Sequence, residues 1–203
     1  MPNTFLTSDS HFGEPQNRLD IMFRNFSSPE EHNQVIIDNW NKVVKPADKV
    51  YHVGDFAYDK SLLTKEFVSQ LNGNITLIRG NHDTSPPALL KTLFYNVKDS
   101  ILLTYGKYKF FVNHFPSRGK KEYWNICGHV HSNWKVQKNM INVSVDVWQY
   151  TPIEISALPK VINAIENHYD EDIWAAYYGI NTVHLDRGKD GNYASQLKLE
   201  KLE

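Results

Sequence analysis

Seven side chains of the types that bind metal ions lie where predicted strands run into loops. They are Asp9, His11, Asp55, Asn81, His114, His129 and His131. Together they supply enough nitrogen and oxygen donors for two adjacent metal ions, provided that one carboxylate is shared. Asp55 is the candidate for the shared ligand, because two cations need a hard anionic group between them. Two neighbouring metal ions can hold both the attacking and the leaving oxygen of a phosphoryl transfer. The set therefore predicts chemistry at phosphorus.

The order of predicted elements favours an α/β fold. The first half alternates strands at 4–8, 49–53 and 75–78 with helices at about 29–45 and 62–71. This alternation is typical of layered α/β proteins. The second half is strand-rich, so we expect a second sheet packed on the first. Its predicted elements are a short helix at 89–93, strands at 100–105, 109–113, 124–127, 140–145 and 153–155, and a late helix at 159–169.

The clearest helix start is at Ser28, which we predict to be the N-cap. Pro29 would be the first helical residue, and Glu31 would complete a capping box. An apolar stripe at helical spacing follows, formed by Val35, Ile36, Trp40, Val43 and Val44.

Bulk composition is that of an ordinary globular protein, with 41% hydrophobic and 22% charged residues in 203. The net charge of -1 does not favour a polyanionic partner such as nucleic acid. No apolar run is long enough to cross a membrane, and no basic and apolar leader precedes the first strand. The lone cysteine, Cys127, excludes an internal disulfide and fits a reducing compartment. We expect a cytoplasmic protein in which Cys127 is a small buried apolar residue.

Five short blocks carry the metal-type residues along the first two thirds of the chain. They are Asp9-Ser10-His11, Gly54-Asp55, Gly80-Asn81-His82-Asp83, His114 and Gly128-His129-Val130-His131. In this order they resemble the calcineurin-like metallophosphoesterase family, in particular the small single-domain phosphodiesterases of bacteria and phages. The resemblance implies an αββα four-layer sandwich of two mixed sheets flanked by helices. Residues 1–157 would form this core, and residues 158–203 a C-terminal helix and tail that packs on it or extends it.

The resemblance also implies a role for each residue. One metal ion would be held by Asp9, His11, Asp55 and His131, and the other by Asp55, Asn81, His114 and His129. A hydroxide shared by the metals would attack phosphorus in line. His82, oriented by Asp83, would protonate the leaving oxygen as the general acid. Arg79 would help to offset charge on the phosphoryl oxygens.

The donor set suits manganese, iron, zinc or nickel, and manganese is preferred because the donors are largely hard. A phosphodiester in a nucleotide-like small molecule is the favoured substrate. A phosphomonoesterase, a metal-dependent nuclease and a non-catalytic binding scaffold on the same fold remain as alternatives. The natural substrate and the oligomeric state do not follow from the sequence.

Several other residues allow two interpretations. Five basic side chains are candidates for contacting substrate or for a solvated surface: Arg18, Arg24, Arg118, Lys120 and Lys121. Tyr123 and Trp124 would stack on a base or lie in the core. His52 is expected to be structural, whereas His32, His168 and His184 are expected at the surface or at helix caps. Asp146 would anchor its loop to the site or cap a turn.

Overall fold

A computed structural model describes residues 2–58, 62–137 and 139–168 of the protein. The strands are β1 Thr4–Thr7, β2 Lys49–His52, β3 Asn74–Ile78, β4 Asn96–Lys98, β5 Ile101–Tyr105, β6 Tyr108–Val112, β7 Trp124–Cys127, β8 Val136–Gln137, β9 Met140–Asn142 and β10 Ile153–Glu154. The helices are α1 Gln16–Ile21, α2 Pro29–Val43, α3 Leu62–Val68, α4 Pro87–Leu93 and α5 Leu158–His168.

The strands form two five-stranded sheets, and both are mixed. The first sheet has the order β10-β1-β2-β3-β4, in which β1 to β4 are parallel and β10 is antiparallel to β1. The second has the order β5-β6-β7-β9-β8, with β6, β7 and β9 parallel and both edge pairs antiparallel. The predicted α/β fold of two mixed sheets flanked by helices is confirmed.

Both faces of the first sheet are covered. On β1, Phe5 belongs to a hydrophobic cluster with Ile36 and Trp40 of α2. Leu6, which points to the opposite face, is also fully buried. On the second sheet Phe110 and Val112 alternate with more exposed neighbours and are fully buried. This pattern is expected when helices cover one face of a sheet and a second sheet covers the other.

Helix α2 begins as the sequence predicts. The Ser28 side chain accepts a hydrogen bond from the Glu31 backbone N–H at 3.2 Å, and Pro29 is the first helical residue. The Glu31 carboxylate reaches one residue further back than in a capping box, to the backbone N–H and the hydroxyl of Ser27. The buried positions of the helix are His32, Ile36, Ile37 and Trp40.

The two sheets are joined at the carboxyl end of β1. Ser8 and Ser144 form a parallel bridge, and the Val145 N–H donates to the carbonyl of Ser8 at 3.1 Å. Ser8 directly follows β1 of the first sheet, and Ser144 lies just beyond β9 of the second. The loops that carry Asp9 and Asp146 are thereby held side by side.

Three elements were not predicted: α1, β4 and β8. Helix α1 has six residues, no side-chain cap and one buried position, Leu19, so it carries no helical period. Strands β4 and β8 have three and two residues, too few for an alternating pattern. The strand predicted at 140–145 ends at Asn142, because the chain leaves the ladder to bridge Ser8 and then forms a short 3₁₀ turn.

The chain divides into two units, residues 1–158 and 159–203. Of the second unit the structure describes only the part of α5 that ends at His168. The rest of the predicted C-terminal segment, residues 169–203, and the side chains of His168 and His184 lie outside the described residues. Among the described residues, no helix is both long enough and apolar enough to span a membrane.

Candidate metal centre

Each metal-type residue lies just beyond the carboxyl end of a strand. Asp9 follows β1, Asp55 follows β2 and Asn81 follows β3, which are adjacent parallel strands of the first sheet. His114 and His129 follow the adjacent parallel strands β6 and β7 of the second sheet. Because parallel strands end at the same edge, this order brings the loops of each sheet together.

Five of these residues adopt left-handed backbone conformations. The φ angles are 57° at Asp9, 48° at His11, 57° at Asp55, 72° at His129 and 48° at His131. A residue other than glycine is strained in this region, by about 1–2 kcal/mol. Such residues cluster at functional sites, where the surrounding contacts fix them. Here the strained turns direct the side chains toward one another.

The structure gathers six of the predicted ligands into two groups of three. One group is Asp9, His11 and His131; the other is Asp55, His114 and His129. Within each group, one ligand atom from each residue lies within 4.8 Å of the others. Such spacing allows three donors to bind one ion.

Asp55 lies between the two groups. Its Oδ2 atom is 3.3 Å from Nε2 of His114 and 3.7 Å from Nε2 of His11, which belongs to the other group. The Oδ1 atom accepts a hydrogen bond from the His82 backbone N–H at 2.9 Å. Burial alone would raise the pKa of Asp55, but His114 and these other partners hold it well below its usual value. The side chain is therefore an anion in a position to bridge.

Asn81 joins the second group. Its side-chain oxygen lies 3.2 Å from Nε2 of His114. The structure thus places the predicted amide ligand next to the imidazole with which it would share an ion.

Three of the histidines are oriented through Nδ1. His11 pairs with Glu14 at 3.2 Å, His114 donates to the carbonyl of Val53 at 2.8 Å, and His131 pairs with Asp146 at 3.0 Å. Metal-binding histidines are held in this way, with one ring nitrogen bonded to an acceptor and the other left for the metal. In all three, Nε2 is the nitrogen that remains.

The Asp9 carboxylate is held by the opposite loop. Both of its oxygens accept from the His129 backbone N–H, at 3.0 and 3.2 Å, and Oδ2 also accepts from the Ser8 hydroxyl at 2.6 Å. Gly128 allows this approach, because a Cβ there would lie 2.6 Å from Asp9 Oδ2.

Residues 3–187 match the calcineurin-like phosphoesterase family. The chain belongs to this family. It is 34% identical over 174 residues to an uncharacterized protein of Methanocaldococcus jannaschii, covering 80% of this chain and 92% of that one. It is 26% identical over 186 residues to the gene 66 protein of Mycobacterium phage L5, with 73% and 88% covered.

A solved structure supports the same fold. A protein of unknown function from Aquifex aeolicus aligns with a TM-score of 0.67 and 24% identity, over 79% of this chain and 100% of that one. This likeness concerns the fold alone.

The family typically binds two metal ions, and the residues of this phosphoesterase fit such ions. The decisive atom is Nε2 of His11, which is buried and has no hydrogen-bond partner. An unpaired buried nitrogen costs about 1–3 kcal/mol, and a metal ion bound there would offset that cost. Its neighbours in the group, Asp9 and His131, are donors that would complete the coordination.

His82 lies at the edge of the phosphoesterase site. Its ring centroid is 5.0 Å from that of His11, and the side chain is partly exposed. The predicted orientation of this ring by Asp83 is wrong. The Asp83 carboxylate instead accepts from the backbone N–H groups of Asp55, Phe56 and Gly80, at 2.8, 3.0 and 2.7 Å. Asp83 is the nearest acid in sequence, but a tight loop turns its side chain onto the backbone.

The predicted basic groups have different surroundings. Arg79 donates to Asp99 through Nε at 2.9 Å and through Nη2 at 2.6 Å, so offsetting phosphoryl charge would require it to leave that carboxylate. Arg18 pairs with Glu14 at 2.7 Å. Arg118 is exposed, with its guanidinium 4.5 Å from the ring centroid of Phe115.

The ring of Phe115 connects Arg118 to a predicted ligand. Phe115 packs edge-on against His129, with 5.1 Å between centroids. The other candidates on this segment are Lys120, Lys121, Tyr123 and Trp124; both lysines are exposed and both aromatic residues are partly buried.

Sequence reasoning missed two residues that support the ligands, Glu14 and Arg24. Asp146 was recognised as a loop anchor or turn cap, and the anchor is what the structure shows. Arg24 was assigned to substrate or surface but is 1% exposed. His32 was expected at the surface and is fully buried against Arg24, so that prediction was wrong. The i,i+3 spacing of His11 and Glu14 was the one signal that could have revealed a pair.

The predictions for His52 and Cys127 are confirmed. His52 is buried, with Nε2 2.8 Å from the Ser10 hydroxyl and its ring stacked toward Trp40. Cys127 is buried beside the carbonyl of Ile141, and burial raises the pKa of its thiol to about 12.

Proposed function

We propose that this phosphoesterase hydrolyses a phosphodiester in a nucleotide-like small molecule, with two divalent metal ions and with His82 as the general acid. The observation that carries the proposal is the position of Asp55. Its carboxylate lies between two groups of donors, with an imidazole Nε2 of each group on either side. A single bridging carboxylate with nitrogen donors on both sides suits a pair of ions.

The ligand assignment follows the two groups. Asp9, His11 and His131 would hold one ion and Asn81, His114 and His129 the other, with Asp55 shared. When bound, such ions lower the pKa of water and offset negative charge on the phosphoryl oxygens. Carboxylate, amide and imidazole donors without a thiolate suit manganese, iron, zinc or nickel, and manganese is proposed because the donors are largely hard. Cys127, the one thiol, supports the cytoplasm as the proposed location.

His82 would supply the proton for the leaving oxygen. Its backbone N–H donates to Asp55, which fixes the loop, while the partly exposed ring lies beside His11. A side chain so placed can reach both the site and the solvent. Proton donation by a histidine contributes about 10²–10⁴-fold to such reactions.

Two observations support a small substrate: the net charge of the chain and the residues at the rim of the site. The net charge of -1 offers no basic field for a long nucleic acid. Phe115 packs against His129, and the exposed Arg118 lies over the Phe115 ring. This ring and this cation would contact one base and one phosphate of a small substrate.

The experiment compares hydrolysis of bis-p-nitrophenyl phosphate and p-nitrophenyl phosphate, with manganese and after removal of metals by a chelator. Metal-dependent turnover that favours the diester supports the proposal. Turnover of the monoester alone would make the protein a phosphomonoesterase. Steeply salt-dependent binding and cleavage of single-stranded nucleic acid would make it a nuclease. Metal binding without turnover of any ester would make it a binding scaffold.

A further inference from the structure

Arg24 is a buried cation that the proposed reaction does not use. It lies between α1 and α2 and is 1% exposed, and its guanidinium meets the Asp146 carboxylate 122 positions later in the chain. The pair is bidentate, with Nε and Nη2 each 2.8 Å from one carboxylate oxygen. A buried pair of this kind persists only when its other polar atoms are also bonded.

All five N–H groups of Arg24 have an acceptor. Besides the two bonds to Asp146, Nη1 donates to the carbonyl of Ser10 at 3.1 Å and lies 3.0 Å from Nε2 of His32. Nη2 also donates to the carbonyl of Asp9 at 2.5 Å. The guanidinium is therefore saturated by protein groups and has no donor left for a substrate phosphate.

These bonds converge on one group of proposed ligands. The carbonyls of Asp9 and Ser10 belong to the strained turn that carries Asp9 and His11. Asp146 in turn accepts from Nδ1 of His131 at 3.0 Å and from the Ser144 hydroxyl at 2.8 Å. One guanidinium thus ties together the loops that follow β1 and β9 and, through Asp146, the ring of His131.

The other group is held by different partners. The backbone of Asp55 is fixed by the Asp83 carboxylate, and Nδ1 of His114 donates to the carbonyl of Val53. The two groups are therefore oriented by different side chains, although they also touch: the His129 backbone N–H donates to the Asp9 carboxylate, and the His11 backbone N–H donates to the carbonyl of Asp55.

We infer that Arg24 and Asp146 are positioning residues for one metal ion of the pair, the ion held by Asp9, His11 and His131. They act by fixing the left-handed turn at Asp9 and the Nδ1–H tautomer of His131. The inference rests on the proposed two-metal function, but it concerns metal binding and is independent of the substrate. It predicts that the affinities of the two ions change separately.

The test is Mn²⁺ binding to Asp146→Asn, followed by calorimetry and by electron paramagnetic resonance. Loss of the charge that fixes a metal-binding histidine weakens metal affinity by about 10–100-fold. One of the two ions is expected to weaken by that factor while the other changes less than about threefold. At Mn²⁺ concentrations at which the wild-type protein shows the spectrum of two spin-coupled ions, Asp146→Asn should show the six-line spectrum of a single Mn²⁺ ion.

Two reference variants identify the ion. The spectrum of Asp146→Asn should match that of His11→Ala and differ from that of His114→Ala. Arg24→Lys should behave like Asp146→Asn, because lysine has three donors in place of five and cannot pair in a bidentate way. If Arg24→Lys fails to fold, Asp146→Asn carries the test by itself.

Asp48→Asn is the matched control. Asp48 is also a buried carboxylate, 5% exposed, and accepts from the backbone N–H groups of Asn3 and Lys45, both at 2.8 Å. Its loss is expected to lower stability without changing either Mn²⁺ affinity. The same loss of affinity in Asp48→Asn would show a general effect of instability and would overturn the inference.

Equal weakening of both ions in Asp146→Asn, or weakening of neither, would also overturn the inference. Wild-type protein that binds two ions but hydrolyses no ester would refute the proposed function and leave the inference standing. Wild-type protein that binds fewer than two ions would refute both.

Discussion

The Oδ2 atom of Asp55 lies 3.7 Å from Nε2 of His11, a buried nitrogen without a hydrogen-bond partner. The two residues come from loops that follow different strands, β1 and β2, and both have left-handed backbone conformations. Strain and an unsatisfied nitrogen at the same point both cost stability. A bound cation between these atoms would offset both costs.

The leaving group distinguishes the proposed role of His82 from a structural one. His82→Ala is expected to slow hydrolysis of an alkyl phosphodiester by about 10²–10⁴-fold, because a poor leaving group needs the proton. Hydrolysis of bis-p-nitrophenyl phosphate should slow by less than about tenfold, since nitrophenolate leaves without one. Steady-state kinetics on both esters measures the difference, with Mn²⁺ stoichiometry as the control. Equal slowing of the two esters would refute the acid role.

Arg79 and Asp99 provide a paired test of charge at the rim. If Arg79 offsets phosphoryl charge, Asp99→Asn should raise kcat/KM by releasing the guanidinium, and Arg79→Gln should lower it. The pair is partly exposed, so stability should change by less than about 1 kcal/mol in either variant. An unchanged kcat/KM in both variants would remove Arg79 from the proposed mechanism.

Gly54 permits the close approach of three loops. Its φ is 89°, and a Cβ there would lie 2.5 Å from Nδ1 of His114 and 2.7 Å from the backbone nitrogen of Gly80. Gly54→Ala is expected to lower the free energy of unfolding by at least about 3 kcal/mol, from strain and overlap together. Urea denaturation measures the loss.

Gly106→Ala is the control for that substitution. Gly106 also has a positive φ, 56°, but no atom lies within 4 Å of the added Cβ. Gly106→Ala should therefore lower the free energy of unfolding only by the cost of the left-handed backbone, about 1 kcal/mol. An equal decrease in the free energy of unfolding in the two variants would mean that the close approach at Gly54 does not contribute to stability.

His32 makes stability depend on pH. Burial lowers its pKa to about 4, and the positive charge of Arg24 acts in the same direction. Asn33, Asp146 and His11 exert smaller influences, and Tyr150 packs edge-on against the ring. Because the folded pKa lies below the unfolded value of 6.5, the unfolded chain takes up a proton first as the pH falls. The free energy of unfolding should therefore decrease from pH 6.5 to about 4, by about 1.4 kcal/mol per pH unit.

His32→Gln tests this dependence, because glutamine retains an acceptor for Arg24 but does not titrate. Urea denaturation between pH 7.5 and 4 gives the free energy of unfolding at each pH. In His32→Gln this free energy should depend less steeply on pH than in wild type, by the slope that corresponds to one proton taken up on unfolding. A variant with the wild-type slope would show that His32 is not the linked group.

The sequence predicted which polar residues lie close together better than it predicted the residues that hold them in place. Asp9 and Asp55 follow strands with clear apolar patterns, so their position at one sheet edge follows from topology. Arg24 and Asp146 could not be paired in this way, because 122 residues separate them and α1, which precedes Arg24, has no helical period. A buried arginine has no local signature, since its surroundings come from distant loops.

The error at Asp83 has a similar origin. Adjacent polar residues in a loop suggest contact between their side chains, but a tight loop leaves backbone N–H groups to be satisfied. The Asp83 carboxylate bonds three of them, and one belongs to Asp55. Asp83 therefore shapes the loop that carries Asp55, the proposed shared ligand.

The most direct test of the two-metal account is hydrolysis of bis-p-nitrophenyl phosphate by Asp55→Asn at saturating Mn²⁺, beside the control Asp48→Asn. An amide of the same shape removes the anion between the two donor groups and leaves the fold. The account predicts that Asp55→Asn loses turnover by about 10³-fold or more, consistent with several kcal/mol of metal-dependent stabilisation. Asp48→Asn should retain turnover. Turnover by Asp55→Asn within about threefold of wild type would contradict the account.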